Sequence, residues 1–193
     1  MKFLLFLKNF NYHFKSFLIT RKTKEVKLLV LDVDGVLTDG KLFINNDGMI
    51  FKSFDVKDGL GIKILQKIGI KIALITGANH QATLHRAIHL GIDECHLGIK
   101  DKEKCLKKIQ QKFGFSKYQT AYIGDDLNDV VVKKNVSLFF APSDASECTK
   151  KIADLCLTRK GGHGVVREVS EIILRKYRIW KLLSKQGWLD TNV

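Results

Sequence analysis

From residue 27 onward, short apolar runs rich in branched residues recur along the chain: KLLVLDV, IKIALIT, ECHLGI, QTAYIGD, VSLFFA and ADLCLT. Polar or glycine-containing turns follow each run, and then a helical pattern. A strand reads as an uninterrupted apolar run when both of its faces are buried. Such runs separated by helices predict an α/β fold with a parallel sheet covered on both sides. The helices are expected over 60–68, 81–90, 102–113, 127–134, 145–152 and 165–183. One stretch, GKLFINNDGMIFKSFDV, breaks the alternation. Its two strand-like halves flank NNDG, and an Asx-Gly turn between alternating residues predicts a β-hairpin flap directly after the first strand, over about 41–54.

The two ends of the chain lie outside this alternation. In the first 26 residues, Phe3, Phe6, Phe10, Phe14 and Phe17 recur at spacings of three and four, the signature of one helix face. A helix packed on the domain and a helix lying on a membrane surface both fit that pattern. The opening apolar run stops at Lys8 with no small-residue cleavage site after it, so no secretory leader is expected. No stretch is long enough to span a bilayer. Residues 175–193 read as a basic helix or tail, which leaves 27–174 as the domain proper.

Composition adds little except charge. A length of 193 residues with 45% hydrophobic and 27% charged positions suits one soluble α/β domain. The net charge of +13 is large, and it would attract nucleic acid, an anionic membrane or a small anionic substrate alike. Its lysines are scattered over KTKEVK, KDKEKCLKK and RKYRIWKLLSK, which reads as solvated helix faces and gives no expectation of nucleic acid binding. Cys95, Cys105, Cys148 and Cys156 form no CxxC pair and are read as free thiols in a reducing compartment, so a cytoplasmic location is expected.

The chemistry lies at strand ends. Asp32 and Asp34 close the first strand, and Asp125, Asp126 and Asp129 follow TAYIG. In an open parallel sheet the ligand site lies just beyond the carboxyl ends of the strands, so the two acidic groups should meet there. Clustered carboxylates repel one another unless a cation neutralises them, and an all-oxygen donor set favours Mg²⁺. The same edge carries Thr76 and Gly77 of LITG, a hydroxyl beside backbone N–H groups open to an anion, and Lys102, a point charge at a helix start. Together these groups suit a phosphate.

DVDGVLTDG, LITG, Lys102 and GDDLND stand in the order of the four motifs of haloacid dehalogenase superfamily phosphatases. With the early hairpin, FDVKDGLGIKIL and GGHGVVREV, residues 27–174 resemble the capless branch that hydrolyses 3-deoxy-D-manno-octulosonate 8-phosphate in lipopolysaccharide precursor biosynthesis. The resemblance implies a Rossmann-like fold, Mg²⁺ and an aspartyl-phosphate intermediate. Asp32 would be the nucleophile and Asp34 the general acid and base, with Asp32, the Asp34 carbonyl and Asp125 as metal ligands and Asp129 supporting them. Thr76, Gly77 and Lys102 would bind phosphate. Lys57, Asp58, Arg86 and Arg167 match positions near the substrate. Capless relatives are homotetramers whose hairpins pack together, and the same is expected here.

One position departs from the pattern. Where octulosonate phosphatases usually carry an Arg after the ITG glycine, this chain has Ala78, which removes a partner for the sugar carboxylate. Phosphatases of nonulosonate 9-phosphates also differ in this loop, so the sugar acid stays open between the two. A catalytically idle module that binds membrane or nucleic acid through its basic surface is the alternative of a different class. His85 and His89, four apart with no third ligand nearby, read as a surface pair.

Overall fold

The protein is described by a computed structural model over residues 12, 19, 22–92, 94–175 and 177–188. Its strands are β1 (Leu28–Leu31), β2 (Phe43–Ile44), β3 (Ile50–Phe51), β4 (Lys71–Ile75), β5 (Glu94–His96), β6 (Thr120–Ile123), β7 (Leu138–Ala141) and β8 (Leu155–Cys156). Six of them form a parallel sheet in the order β5-β4-β1-β6-β7-β8, while β2 and β3 pair separately as the antiparallel hairpin. The expected α/β architecture with a flap after the first strand is the one observed.

Strand β1 shows why its sequence carries no polar alternation. Leu29 and Leu31 face one core, with Ile62, Leu65, Val166 and Ile173, and Leu28 and Val30 face the other, with Leu106, Ile109, Tyr122 and Phe139. All four β1 side chains are fully buried. Each such burial stabilises the fold by about 1.5–3 kcal/mol, so a polar residue on either face would be costly.

The helices that cover the sheet are α1 (Val56–Lys67), α2 (Gln81–His89), α3 (Lys102–Phe113), α4 (Leu127–Val130), α5 (Glu147–Ile152), α6 (Val165–Leu174) and α7 (Arg178–Gln186). Three differ from their expected bounds by more than two residues. Helix α1 begins at Val56 because the Asp55 carboxylate accepts from the Lys57 N–H and caps the helix there. Helix α4 stops at Val130 instead of 134, since the β-branched Val130 to Val132 run favours helix poorly and Val132 turns into the core. The expected 165–183 helix is two: α6 ends at Leu174, Tyr177 is extended, and α7 restarts so that Trp180 and Leu183 reach the first core.

Among the terminal residues, Tyr12 donates to Glu168 at 2.5 Å and Ile19 lies in the first core. The N-terminal phenylalanines Phe3, Phe6, Phe10, Phe14 and Phe17 lie outside the described residues. No helix among the described residues is long and apolar enough to cross a membrane.

Candidate active site

Because β1 sits between β4 and β6, three loops open side by side at the carboxyl edge of the sheet. The loop after β1 carries Asp32 and Asp34, and it is wound tightly by the N–H groups of Val36, Leu37 and Thr38, which all donate to the Val33 carbonyl. Gly35 has φ +87°, and a Cβ there would lie 2.0 Å from an Asp125 oxygen. Only glycine lets the two acidic loops touch.

Asp32, Asp125 and Asp129 each offer an oxygen within 4.8 Å of the others. Lys102 reaches in from the start of α3 and donates to Asp32 Oδ1 and Asp129 Oδ1, both at 2.7 Å. Asp32 is 4% exposed, Lys102 2% and Asp129 0%. Asp129 is held from every side: Tyr122 donates its hydroxyl to Oδ1 at 2.6 Å, and the Asp125 and Asp126 N–H groups donate to Oδ2 at 3.1 and 3.4 Å. Its oxygens organise the loop, which leaves Asp32 and Asp125 as the better donors to a cation.

The electrostatics point the same way. Burial, then the Asp129 charge, raises the Asp32 carboxyl against the opposing pull of Lys102. Asp125 is raised by burial and by the charges of Asp32 and Asp129. Burial works against the Lys102 ammonium, but the two carboxylates outweigh it and hold its pKa above the ordinary lysine value. One ammonium among three clustered carboxylates leaves net negative charge on an all-oxygen donor set, which fits a hard divalent cation such as Mg²⁺.

A cavity of about 400 Å³ opens over this cluster, lined by Asp32, Asp34 and Asp125 together with Thr76, Gly77 and Ala78 of the loop after β4. Asp126, part of the acidic group read from the sequence, and Asn128, which the sequence did not single out, also line it. The Thr76 hydroxyl accepts from the Ala78 N–H. The acidic, hydroxyl and lysine groups expected at this edge therefore converge.

None of the four residues matched to positions near the substrate lines this cavity in the single chain. Lys57 is exposed. Asp58 is buried beneath α6, where it accepts from the N–H groups of Arg167 at 2.7 Å and Gly164 at 3.2 Å. Arg86 donates to the Asp55 carbonyl and lies over the Phe54 ring, while Arg167 pairs with Glu171. His85 and His89 are both exposed.

Sequence reading missed Lys52 and Tyr122. Lys52, just after β3, donates to both Asp34 oxygens, at 2.7 and 2.8 Å. No strand periodicity marks Lys52, which lies beyond the regular strand and meets Asp34 only once the hairpin folds.

Comparison with known proteins agrees with this geometry. Residues 55–134 match the model of haloacid dehalogenase-like hydrolases. The 3-deoxy-D-manno-octulosonate 8-phosphate phosphatase of Haemophilus influenzae is 39% identical over 155 residues, 80% of this chain and 86% of that one. The chain belongs to this phosphatase family. The Moraxella catarrhalis member, solved in complex with magnesium, phosphate and KDO, is 36% identical and superposes with a TM-score of 0.85, covering 88% of this chain and 98% of that one. The cobalt-bound H. influenzae structure gives a TM-score of 0.78 at 39% identity, over 80% of this chain and 90% of that one.

Proposed function

We propose that this phosphatase hydrolyses 3-deoxy-D-manno-octulosonate 8-phosphate to the free sugar acid and phosphate, a step in lipopolysaccharide precursor synthesis. The observation that carries the reading is the convergence of Asp32, Asp125 and Lys102 under a cavity edged by Thr76 and Gly77. A relative at 36% identity holds magnesium, phosphate and KDO.

In this reading an Asp32 oxygen attacks phosphorus, the bond from phosphorus to the sugar oxygen breaks, and Asp34 gives its proton to the departing alkoxide. Water then attacks the phosphoaspartate while Asp34 takes a proton from it, releasing phosphate and restoring Asp32. Lys102, the Thr76 hydroxyl and the N–H groups beside Gly77 hold the phosphate oxygens in line with Asp32. Mg²⁺ held by Asp32, the Asp34 carbonyl and Asp125 would neutralise the charge of those oxygens. Asp129 keeps the Asp125 loop and the Lys102 ammonium in register.

The working unit we propose is a cytoplasmic homotetramer joined through the hairpins, which expose Phe43, Ile44, Met49 and Phe51. In such an assembly Lys57, Arg86 or Arg167 would serve a neighbouring cavity rather than its own.

Ala78 at the cavity wall makes a nonulosonate 9-phosphate the competing substrate, since phosphatases of those sugars also differ in this loop and the carboxylate of either sugar loses the usual Arg here. Phosphate release from both sugars, with Mg²⁺ and with EDTA, beside Asp32→Asn, decides between them. Preferential metal-dependent release from the octulosonate, abolished in the variant, is the expected result. Preference for the nonulosonate would overturn the substrate while leaving the chemistry.

A further inference from the structure

We propose that Lys52 is a positioning residue for Asp34, holding that carboxylate in the orientation needed when it activates water. The inference rests on the phosphatase reading above and extends it to the hairpin. The Lys52 ammonium donates to both Asp34 oxygens, at 2.7 and 2.8 Å, from a side chain that is 0% exposed. Asp34 itself is 28% exposed and faces the cavity. Its other side-chain contact, a 3.3 Å bond from the Thr38 hydroxyl to Oδ1, is long and restrains only one oxygen. Without Lys52 the carboxylate could rotate about its own bonds, and among the described residues Lys52 alone grips both oxygens.

The two half-reactions need different forms of Asp34. Transfer of the phosphoryl group to Asp32 uses the carboxylic acid, which loses its proton to the leaving oxygen. Hydrolysis of the phosphoaspartate uses the carboxylate, which takes a proton from the attacking water as the bond from phosphorus to Asp32 breaks. Both steps pass a proton through the same two oxygens, and with a leaving group that needs no acid only the second step depends on how Lys52 holds them. The ammonium also comes from a different element than the loop it steadies. Lys52 lies one residue beyond β3, so the seating of the hairpin on the domain and the orientation of Asp34 are linked.

An activated aryl phosphate separates the two steps, because p-nitrophenolate leaves without help from an acid. Magnesium-loaded wild type, Lys52→Met and Lys52→Arg are mixed rapidly with p-nitrophenyl phosphate, and nitrophenolate, acid-quenched phosphoprotein and free phosphate are followed. Expected for Lys52→Met is an unchanged nitrophenolate burst followed by phosphate release slowed about tenfold or more, with phosphoprotein accumulating. Lys52→Arg, which keeps the charge, should recover most of the second step. Equal slowing of both steps in Lys52→Met, or no slowing of either, overturns the inference. A Lys52→Met protein that melts early is replaced by Lys52→Gln, to which the same two outcomes apply. Magnesium-loaded wild type that releases no nitrophenolate would overturn the phosphatase reading itself, and the role of Lys52 with it.

Discussion

Lys102 stands where two carboxylates would otherwise be buried together. It touches Asp32 and Asp129 at 2.7 Å each, and all three side chains are nearly inaccessible. Removing one partner from a buried charge cluster costs about 3–5 kcal/mol, because the remaining charges lose their counter-ion and regain no water. In a chain of this size about 1 kcal/mol corresponds to 2–4 °C in melting temperature. Lys102→Met is therefore expected to melt roughly 10 °C below wild type without metal. Mg²⁺ should return more of that loss to the variant than it adds to wild type, since the cation then faces the carboxylates alone. Differential scanning calorimetry with and without Mg²⁺ reads both effects. Hydrolysis should fall at least about 100-fold in the same variant, as an ammonium aimed at the phosphate oxygens is lost.

Between elements, the seam of α1 and α6 shows how a short motif was readable in position but not in purpose. A Cβ at Gly61 would lie 2.7 Å from the Ser170 hydroxyl oxygen, so the two helices meet at glycine contacts. Asp58 crosses the same seam and caps α6 through the Gly164 and Arg167 N–H groups. Burial raises its pKa to about 6 from 3.8; the Arg167 N–H opposes that rise and the Asp55 charge adds to it. A carboxyl whose folded pKa is raised stabilises the fold below its unfolded pKa and loses that contribution as pH climbs through the folded value. Asp58 should thus make the protein less stable between about pH 4 and 6, by roughly 2–3 kcal/mol at most. Asp58→Asn, which cannot ionise, should make that part of the profile shallower in denaturant melts at stepped pH, the raised Asp32 and Asp125 carboxyls keeping the remainder. A variant whose profile still follows wild type would place the pH response elsewhere.

The strands were legible because burial on both faces strips polar residues from them, and the hairpin because Asn46, Asp47 and Gly48 leave few other choices. The acidic cluster, Thr76 and Lys102 were legible because a parallel sheet puts its strand ends at one edge. Tyr122 was hidden because TAYI reads as any buried strand, and the hydroxyl finds Asp129 only once the loop folds back. The break between α6 and α7 was hidden because no glycine or proline marks it in REVSEIILRKYRIWKLLSK.

At the scale of the whole molecule, two surface properties pull in opposite directions. The hairpin exposes Phe43 at 58%, Ile44 at 63%, Met49 at 57% and Phe51 at 51%, a concentration of large apolar groups on a two-stranded ribbon. Such a patch favours association, and a two-stranded hairpin alone is too small to be stable without packing. The net charge of +13 opposes it, because identical copies repel. Salt screens the repulsion over a Debye length of about 10 Å at 0.1 M and leaves the apolar contact intact. Self-association through the hairpin should therefore strengthen as salt rises from about 20 to 300 mM. A complex held together by a bound polyanion would weaken over the same range. Sedimentation equilibrium of wild type and of Ile44→Glu reads the difference. Wild type should shift to larger species with added salt, while Ile44→Glu should stay smaller throughout and, with the catalytic residues untouched, still hydrolyse p-nitrophenyl phosphate. Dissociation of wild type by salt would instead assign the assembly to charge, and the apolar hairpin would lose its place as the joint between copies.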